Sequence, residues 1–317
     1  MRFTTQHTMQ EPTTMAPAQP SGDSLIDGFR TPLVDVNDLK HMADPSFKPD
    51  KAALWNTHKS RDGWVLAHNS VRFELGEMKR VLAALANTTL AEWQVAAVKA
   101  WWAGHATHVH EHHANEDNIF NPFLRTRITY PDKLEKDHVF LVAAMTAIAE
   151  EVKILQTGST LERLQPLWEH YEKFMHPHLF EEEQVGLPLA RAYFTHAEIE
   201  KCTAIFLKTG DPVSLGAFVH VLGHKRDAQQ FMSENGIPSF VWHIPGGFKA
   251  LRTIYRVKMQ SHIDSLLAGE PVSARTKKLS AENALKATKK YSESVGAQSA
   301  LSPRKRENVM TRISLVE

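Results

Sequence analysis

Two stretches of this chain carry the same chemical pattern. Glu116 follows His112 by four residues, and Glu182 follows His178 by four. Residues i and i+4 share a helix face, so each stretch offers an imidazole and a carboxylate to one point. The endings match as well, in His112-x3-Glu116-x5-Pro122 and His178-x3-Glu182-x5-Pro188. His68 and His138 stand ahead of the two stretches at similar offsets, which suggests an internal pseudo-repeat. The single cysteine, Cys202, excludes a disulfide framework and a thiolate-cluster metal site. A metal bound by this chain would therefore be held by imidazole and carboxylate, for which 18 histidines in 317 residues leave ample material.

Four segments with helical apolar spacing must position these groups. The first begins near Asp62 and puts Trp64, His68, Val71, Leu75, Met78, Leu82 and Leu85 on one stripe. Asn87-Thr88-Thr89 breaks it, and Thr89 with Glu92 has capping-box spacing. The second carries Val98, Trp101, His105, His108 and His112 and ends at Pro122. The third starts after Pro131 and aligns Leu134, His138, Leu141, Met145, Ile148 and Val152. Gly158 closes it, and Ser159 with Glu162 forms another capping box. The fourth aligns Leu167, Tyr171, Phe174, His178, Glu182 and Val185, ends near Pro188, and is predicted to kink at Pro177. Short connections make consecutive helices antiparallel neighbours. The predicted fold is all-α: an up-down-up-down four-helix bundle with additional C-terminal helices and disordered termini.

Depth along the helices brings the histidines together. At 1.5 Å per residue, His68 lies roughly 30 Å from the turn near residue 88, and His112 lies roughly 36 Å back from it. His138 and His178 each lie roughly 30 Å from the turn near residue 158. All four imidazoles then share one level of the bundle. Four imidazoles and two carboxylates in an apolar interior are costly without compensation, and a pair of divalent first-row metals supplies it. The competing reading is six inward polar groups satisfied by hydrogen bonds alone. That is the ordinary case for one histidine, but it gives no reason for six groups at one level.

These residues resemble the hemerythrin-like (HHE cation-binding) family. The resemblance rests on His68, His112-His113-Ala114-Asn115-Glu116, Asp137-His138 and His178-Leu179-Phe180-Glu181-Glu182, and covers roughly residues 60–190. It implies a four-helix bundle with two non-haem iron ions. His68, His112, His138 and His178 would be terminal ligands, and Glu116 and Glu182 would bridge together with an oxo or hydroxo group. Zinc or manganese would accept much of the same set. Oxygen-carrying members have a second histidine four residues after the first in the third helix, where this chain has Val142. One terminal ligand is thus missing or supplied from elsewhere, which favours a labile, sensing or redox site over oxygen transport.

The expected function is binding of dioxygen or a related diatomic or peroxide ligand, in sensing, iron or redox homeostasis. Two alternatives stand beside it: a metal-dependent regulatory protein whose iron-loaded bundle controls partner binding, and a peroxide-decomposing di-iron enzyme. No catalytic residue is assigned. Among the other histidines, His108 is expected behind the ligands, and His105, His110, His113, His170 and His176 at the surface or its boundary. A ferritin-like site needs paired Glu-x-x-His motifs, and only Glu135-x-x-His138 is present. His220 and His224 read as a helical pair with no carboxylate partner.

The organisation expected is a flexible lead over 1–50, the bundle over 51–195, a helical extension over 196–270 and a basic disordered tail over 271–317. The segment Phe240 to Gly247 and the basic-apolar helix from Phe248 to Leu267 are expected to pack on the bundle, the alternative being a membrane surface or a partner. A protein partner would engage residues 200–270 or the tail. A net charge of +1 argues against a chain built to coat nucleic acid, and no apolar run is long enough for a transmembrane helix. The N-terminal residues lack an apolar signal core, so a cytoplasmic location is expected, with Pro303-Arg304-Lys305-Arg306 leaving a nuclear one open.

Overall fold

The computed structural model describes residues 42–47, 62–271 and positions 285, 286, 288 and 289. Most of the expected lead and nearly all of the expected tail, including Pro303–Arg306, lie outside the described residues. The described part is all-helical, without a strand. Among the described residues no helix is long and apolar enough to cross a membrane.

Helix α1 (Gly63–Ala84) starts where Asp62 accepts hydrogen bonds from the backbone N–H groups of Trp64 and Val65. Arg191 donates to the other oxygen of Asp62 at 2.6 Å, so one buried carboxylate caps α1 and ties it to a residue 129 positions further along the chain. Helix α2 (Glu92–Asn115) runs on through a π turn (Glu116–Phe120) and a last helical turn (Asn121–Leu124). Helix α3 (Asp132–Ile154) begins after Pro131, as its spacing predicts. Helix α4 (Leu164–Tyr193) passes through both Pro177 and Pro188 instead of ending near the latter. Proline removes only its own N–H from the ladder, and the packing of Leu187, Leu189 and Ala190 carries the helix past it.

The expected capping boxes are replaced by other local bonds. Ala91 occupies the N-cap of α2, with the Gln94 side chain accepting from the Ala91 N–H, and Thr89 takes no part. The Ser159 hydroxyl accepts from the Gln156 N–H, and α4 starts after Arg163. The two interhelix turns meet, however: Leu90 N–H donates to the Ser159 carbonyl and Gly158 N–H to the Leu90 carbonyl, both at 2.8 Å. That junction puts the α1–α2 and α3–α4 turns at one level, which is what the depth argument assumed.

Helices α1 to α4 pack around one core in which Val71, Leu75, Met78, Trp101, Leu141, Met145, Ile148, Trp168 and Tyr171 are all buried. Each fully buried Leu, Val or Met contributes about 1.5–3 kcal/mol relative to exposure. The inward line of α4 differs from the one expected. Phe174 is 42 % exposed, and Trp168 and Met175 are buried in its stead. A seam leaving Tyr171 can step by three or four residues, and here it steps by four.

Residues 196–268 form α5 (His196–Thr209), α6 (Pro212–Val221), α7 (Lys225–Glu234), a 3-10 turn (Ser239–Trp242), and α8 (Phe248–Tyr255), which continues through a π turn (Arg256–Gln260) into α9 (Ser261–Ala268). These helices pack on the bundle: Ile254, Tyr255, Met259, Ile263 and Leu266 join the same core as α1 and α2. The apolar face of the basic helix is therefore covered, while Phe240 and Ile244 are exposed. Gly216 allows α6 to touch α8, since a Cβ there would lie 2.5 Å from the Leu251 carbonyl oxygen. Within the stretch expected to be a flexible lead, Ala43 pairs with Ile128 in an isolated antiparallel bridge.

Candidate metal centre

At the end of the core opposite the interhelix turns, the four long helices place two groups of potential ligands, all their donor atoms within 4.8 Å of one another in each group. One group is His68, His112, Glu116 and Glu182; the other is His113, Glu116, His138 and His178. All six residues expected from sequence are therefore brought together. The addition is His113, expected at the surface but 4 % exposed and in the second group. Its ring stacks on that of His138, with centroids 4.2 Å apart and planes 17° apart. Val142, where the resembling family has its further histidine, is 39 % exposed. His113 precedes Glu116 by three residues, which also shares a helix face; that i,i+3 relation was the signal available in the sequence.

The π turn follows these ligands directly. Asn121 N–H bonds the Glu116 carbonyl five residues back, and π turns inside α-helices often mark functional sites. Glu116 faces both groups: Oε1 lies 3.3 Å from His112 Nε2, and Oε2 lies 3.6 Å from His138 Nε2. Glu182 Oε2 lies 3.4 Å from His68 Nε2 and 3.6 Å from His178 Nε2.

Outside this ring of donors stands a set of orienting contacts that no local motif in the sequence announces. His68 Nδ1–H donates to Glu183 at 3.0 Å, and Glu183 is held in turn by Arg72 at 2.6 Å. His138 Nδ1–H donates to Asp117 at 2.9 Å. Each orienting acid is the residue after a central glutamate, Asp117 after Glu116 and Glu183 after Glu182, and each holds a histidine of another helix. Such bonds turn the other ring nitrogen toward the centre and fix the tautomer. Trp64 Nε1–H donates to His68 Nε2 at 3.0 Å, a bond that a metal on this nitrogen would replace, and Tyr130 O–H donates to Glu182 Oε1 at 3.3 Å. Gly186 makes room for both rings, since a Cβ there would lie 2.6 Å from Trp64 and 3.1 Å from Tyr130.

Hydrogen bonding within the chain does not satisfy this cluster. His112 Nε2, both ring nitrogens of His113 and of His178, His138 Nε2, Glu116 Oε2 and Glu182 Oε2 are buried without a hydrogen bond. One such atom costs about 1–3 kcal/mol, so eight at one spot need a further partner. Burial and then mutual repulsion push the Glu116 carboxyl well above its usual range, and burial foremost also raises Glu182. Burial, followed by neighbouring imidazoles, holds His112, His113 and His178 below theirs. The donor set is five imidazoles and two carboxylates with no thiol, the nitrogen and oxygen ligands that a divalent cation accepts. These buried groups could hold a metal ion, and their chemistry is that of nitrogen and oxygen ligation.

A second buried polar chain runs beside the centre and takes up two more histidines. Glu74 Oε2 accepts from His105 Nδ1–H at 2.6 Å and from His108 Nδ1–H at 3.0 Å. Tyr171 O–H lies 3.2 Å from His105 Nε2, and the Ser70 hydroxyl lies 3.3 Å from His108 Nε2. His105, expected near the surface, is fully buried because Glu74 of α1 supplies its partner. Burial disfavours the charge on both Glu74 and His108. Their mutual attraction outweighs it, holding Glu74 down at about 2 and raising His108. His110 and His170 are exposed and His176 is half-buried. His220 packs between Phe73 and Tyr255, and His224 is exposed at the start of α7. Of the stripe residues, Trp101 and Leu141 are buried, Trp64 is half-buried and Phe174 is exposed.

No protein-family model, curated protein or solved structure matches the chain.

Proposed function

We propose that this chain is a hemerythrin-like di-iron protein: an up-down-up-down four-helix bundle that binds dioxygen or a related small oxidant, with a sensing or redox-protective outcome. In this reading His113, His138 and His178 would hold one iron and His68, His112 and Glu182 the other, with Glu116 available to both. The observation that carries it is Glu116, a buried carboxylate that belongs to both ligand groups and turns one oxygen toward each. Bound there, a ferrous pair would supply the electrons that a small oxidant takes up.

The chain's own residues do the rest. Glu183 and Asp117 hold His68 and His138 by their Nδ1–H groups, so that Nε2 of each faces inward. Tyr130 fixes one oxygen of Glu182 and leaves the other toward His68 and His178. The buried rings of Phe120 and Tyr130 limit water around the carboxylates. The His68–His112 side has one imidazole fewer, which leaves room for an external ligand there. His113 answers the absence at Val142, giving five imidazoles where six expected residues gave four.

Anaerobic ferrous reconstitution tests this, with iron counted per chain and the optical spectrum recorded before and after oxygen. Two irons per chain and a new near-ultraviolet absorption on exposure to oxygen are expected. One iron or none, or two with no response to oxygen, would overturn the reading.

A further inference from the structure

Tyr171 of α4, His105 of α2 and Glu74 of α1 form a fully buried triad, and none of the three belongs to either ligand group. The Glu74 carboxylate accepts from His105 Nδ1–H at 2.6 Å, which fixes the tautomer and leaves a lone pair on Nε2. That nitrogen accepts from the Tyr171 O–H at 3.2 Å, within reach for proton transfer. Trp101 lies flat on the His105 ring, with centroids 5.0 Å and planes 9° apart, and holds it in this orientation.

Burial sets the charge states. It holds His105 below its usual range against the pull of Glu74, so the imidazole is neutral and open to a proton. Burial also pushes the Tyr171 phenol well above its ordinary value, and the Glu74 charge adds to the effect. A phenol that does not ionise at neutral pH loses an electron readily only if its proton leaves as well. His105 is placed to take that proton, and Glu74 is the counter-charge for the imidazolium that results.

Further oxidisable rings adjoin. Trp168 lies 5.5 Å from Tyr171 and 5.9 Å from Trp101, centroid to centroid. Trp168 Nε1 is buried without a hydrogen bond, so an oxidised Trp168 has no group to receive its proton. An electron vacancy shared among these rings therefore settles on Tyr171. Tyr171 precedes His178 by seven residues on α4, and His105 precedes His112 by seven on α2, which puts the triad about 10 Å along the helices from the centre.

We propose that Tyr171 is a redox-active residue, giving one electron to the peroxide-oxidised metal centre while its phenolic proton passes to His105 Nε2. The O–H bond breaks, an N–H bond forms, the iron pair is reduced by one electron, and a neutral tyrosyl radical remains. An oxidising equivalent is thereby drawn off the ligand imidazoles and held inside the core. The triad itself needs no metal; only the identity of its oxidant rests on the preceding reading.

Tyr171→3-fluorotyrosine tests this in the full chain, since it keeps the phenol and adds a fluorine splitting to the radical's electron paramagnetic resonance. Two oxidants are used: hydrogen peroxide on iron-loaded protein, and photogenerated tris(bipyridine)ruthenium(III) on chelator-treated protein. A freeze-trapped tyrosyl signal with a fluorine-split component is expected from both, and from peroxide alone it would suffice. Tyr171→Phe should remove that component's unfluorinated counterpart from the wild-type spectrum. His105→Gln should slow radical formation about a hundredfold, the lower end of what a positioned proton acceptor contributes. No fluorine-split component with either oxidant would overturn the assignment. Formation at the wild-type rate in His105→Gln of unchanged helicity would overturn the proton transfer. A fluorine-split signal with ruthenium alone would leave the triad standing and overturn the iron pair as its oxidant, with the iron count showing whether the metal reading fails too.

Discussion

The ring of His113 lies face to face on that of His138, 4.2 Å between centroids, although the two come from different helices. This stack brings into the centre a histidine that immediately follows another inward histidine, His112. Two neighbouring residues ordinarily point about 100° apart on a helix. Here they flank Glu116 and serve opposite sides of it. On the di-iron proposal, His113→Ala should lower iron from two per chain toward one while leaving helicity intact. Metal analysis after anaerobic loading checks this, and retention of two irons would remove His113 from the ligand set.

Glu183 and Asp117 act through the histidines they hold. Replacing Glu183 by Gln, or Asp117 by Asn, is expected to weaken metal binding about 10–100-fold, the usual effect of losing an orienting partner. Competition against a chelator of known affinity measures it. Equal affinity in the wild type and both variants would show that the imidazoles are positioned by packing alone.

Gly186→Ala forces a methyl group into Trp64 and Tyr130. Overpacking of this kind costs about 1–3 kcal/mol. Trp64→Phe removes the part of the indole that the methyl would meet, so the double variant should be less destabilised than the two single effects added together. Denaturant unfolding of all four proteins decides, and strict additivity would place the strain elsewhere.

Glu74 and His108 form a buried pair, 3.0 Å apart. Glu74→Gln would leave His108 without its counter-charge, and breaking such a pair costs about 3–5 kcal/mol. Urea unfolding at neutral pH should show the loss. A change below about 1 kcal/mol would mean that the histidine simply gives up its proton.

Acid sensitivity has a defined contributor at Glu198. Burial opposes its ionisation, but hydrogen bonds from Arg127 and from Thr195 outweigh burial and hold the carboxyl at about 2, below its ordinary 4.5. A depressed carboxylate stabilises the fold above its unfolded value and loses that contribution as pH falls toward the folded one. Glu198→Gln should therefore lower stability at pH 7 by about 1 kcal/mol once solvent screening is allowed for. The gap between variant and wild type should close between pH 4.5 and pH 2. A gap that stayed constant with pH would exclude ionisation as its source.

Much of the site was legible because helical periodicity and depth are both written in residue numbers. The stripe from Leu134 to Val152 is buried throughout, and Asp62 caps the first helix where the pattern begins. Phe174 was misplaced because apolar residues at both 174 and 175 satisfy the period, and only the neighbouring helices choose between them. Pro188 looked like a helix end because the cost of proline is local and the packing that offsets it is not. His113, Asp117 and Glu183 were missed for a related reason. Their partners are across helices, at distances in sequence that no local motif spans. The bond between Tyr171 and His105 was beyond reach likewise, since 66 positions separate the two.

The π turn after Glu116 has a further consequence, best put as gearing. An α-helix turns by about 100° with each residue, so a loop closed by five residues instead of four offsets whatever follows by one such step. His112, His113 and Glu116 thus keep one angular frame, while Leu124, buried in the core beside Leu134 and Phe194, keeps another. Deleting one residue between Asp117 and Ile119 would restore a plain helix and couple the two frames. The chain would then have to unseat either Leu124 or the ligands, because one rod cannot satisfy both at once.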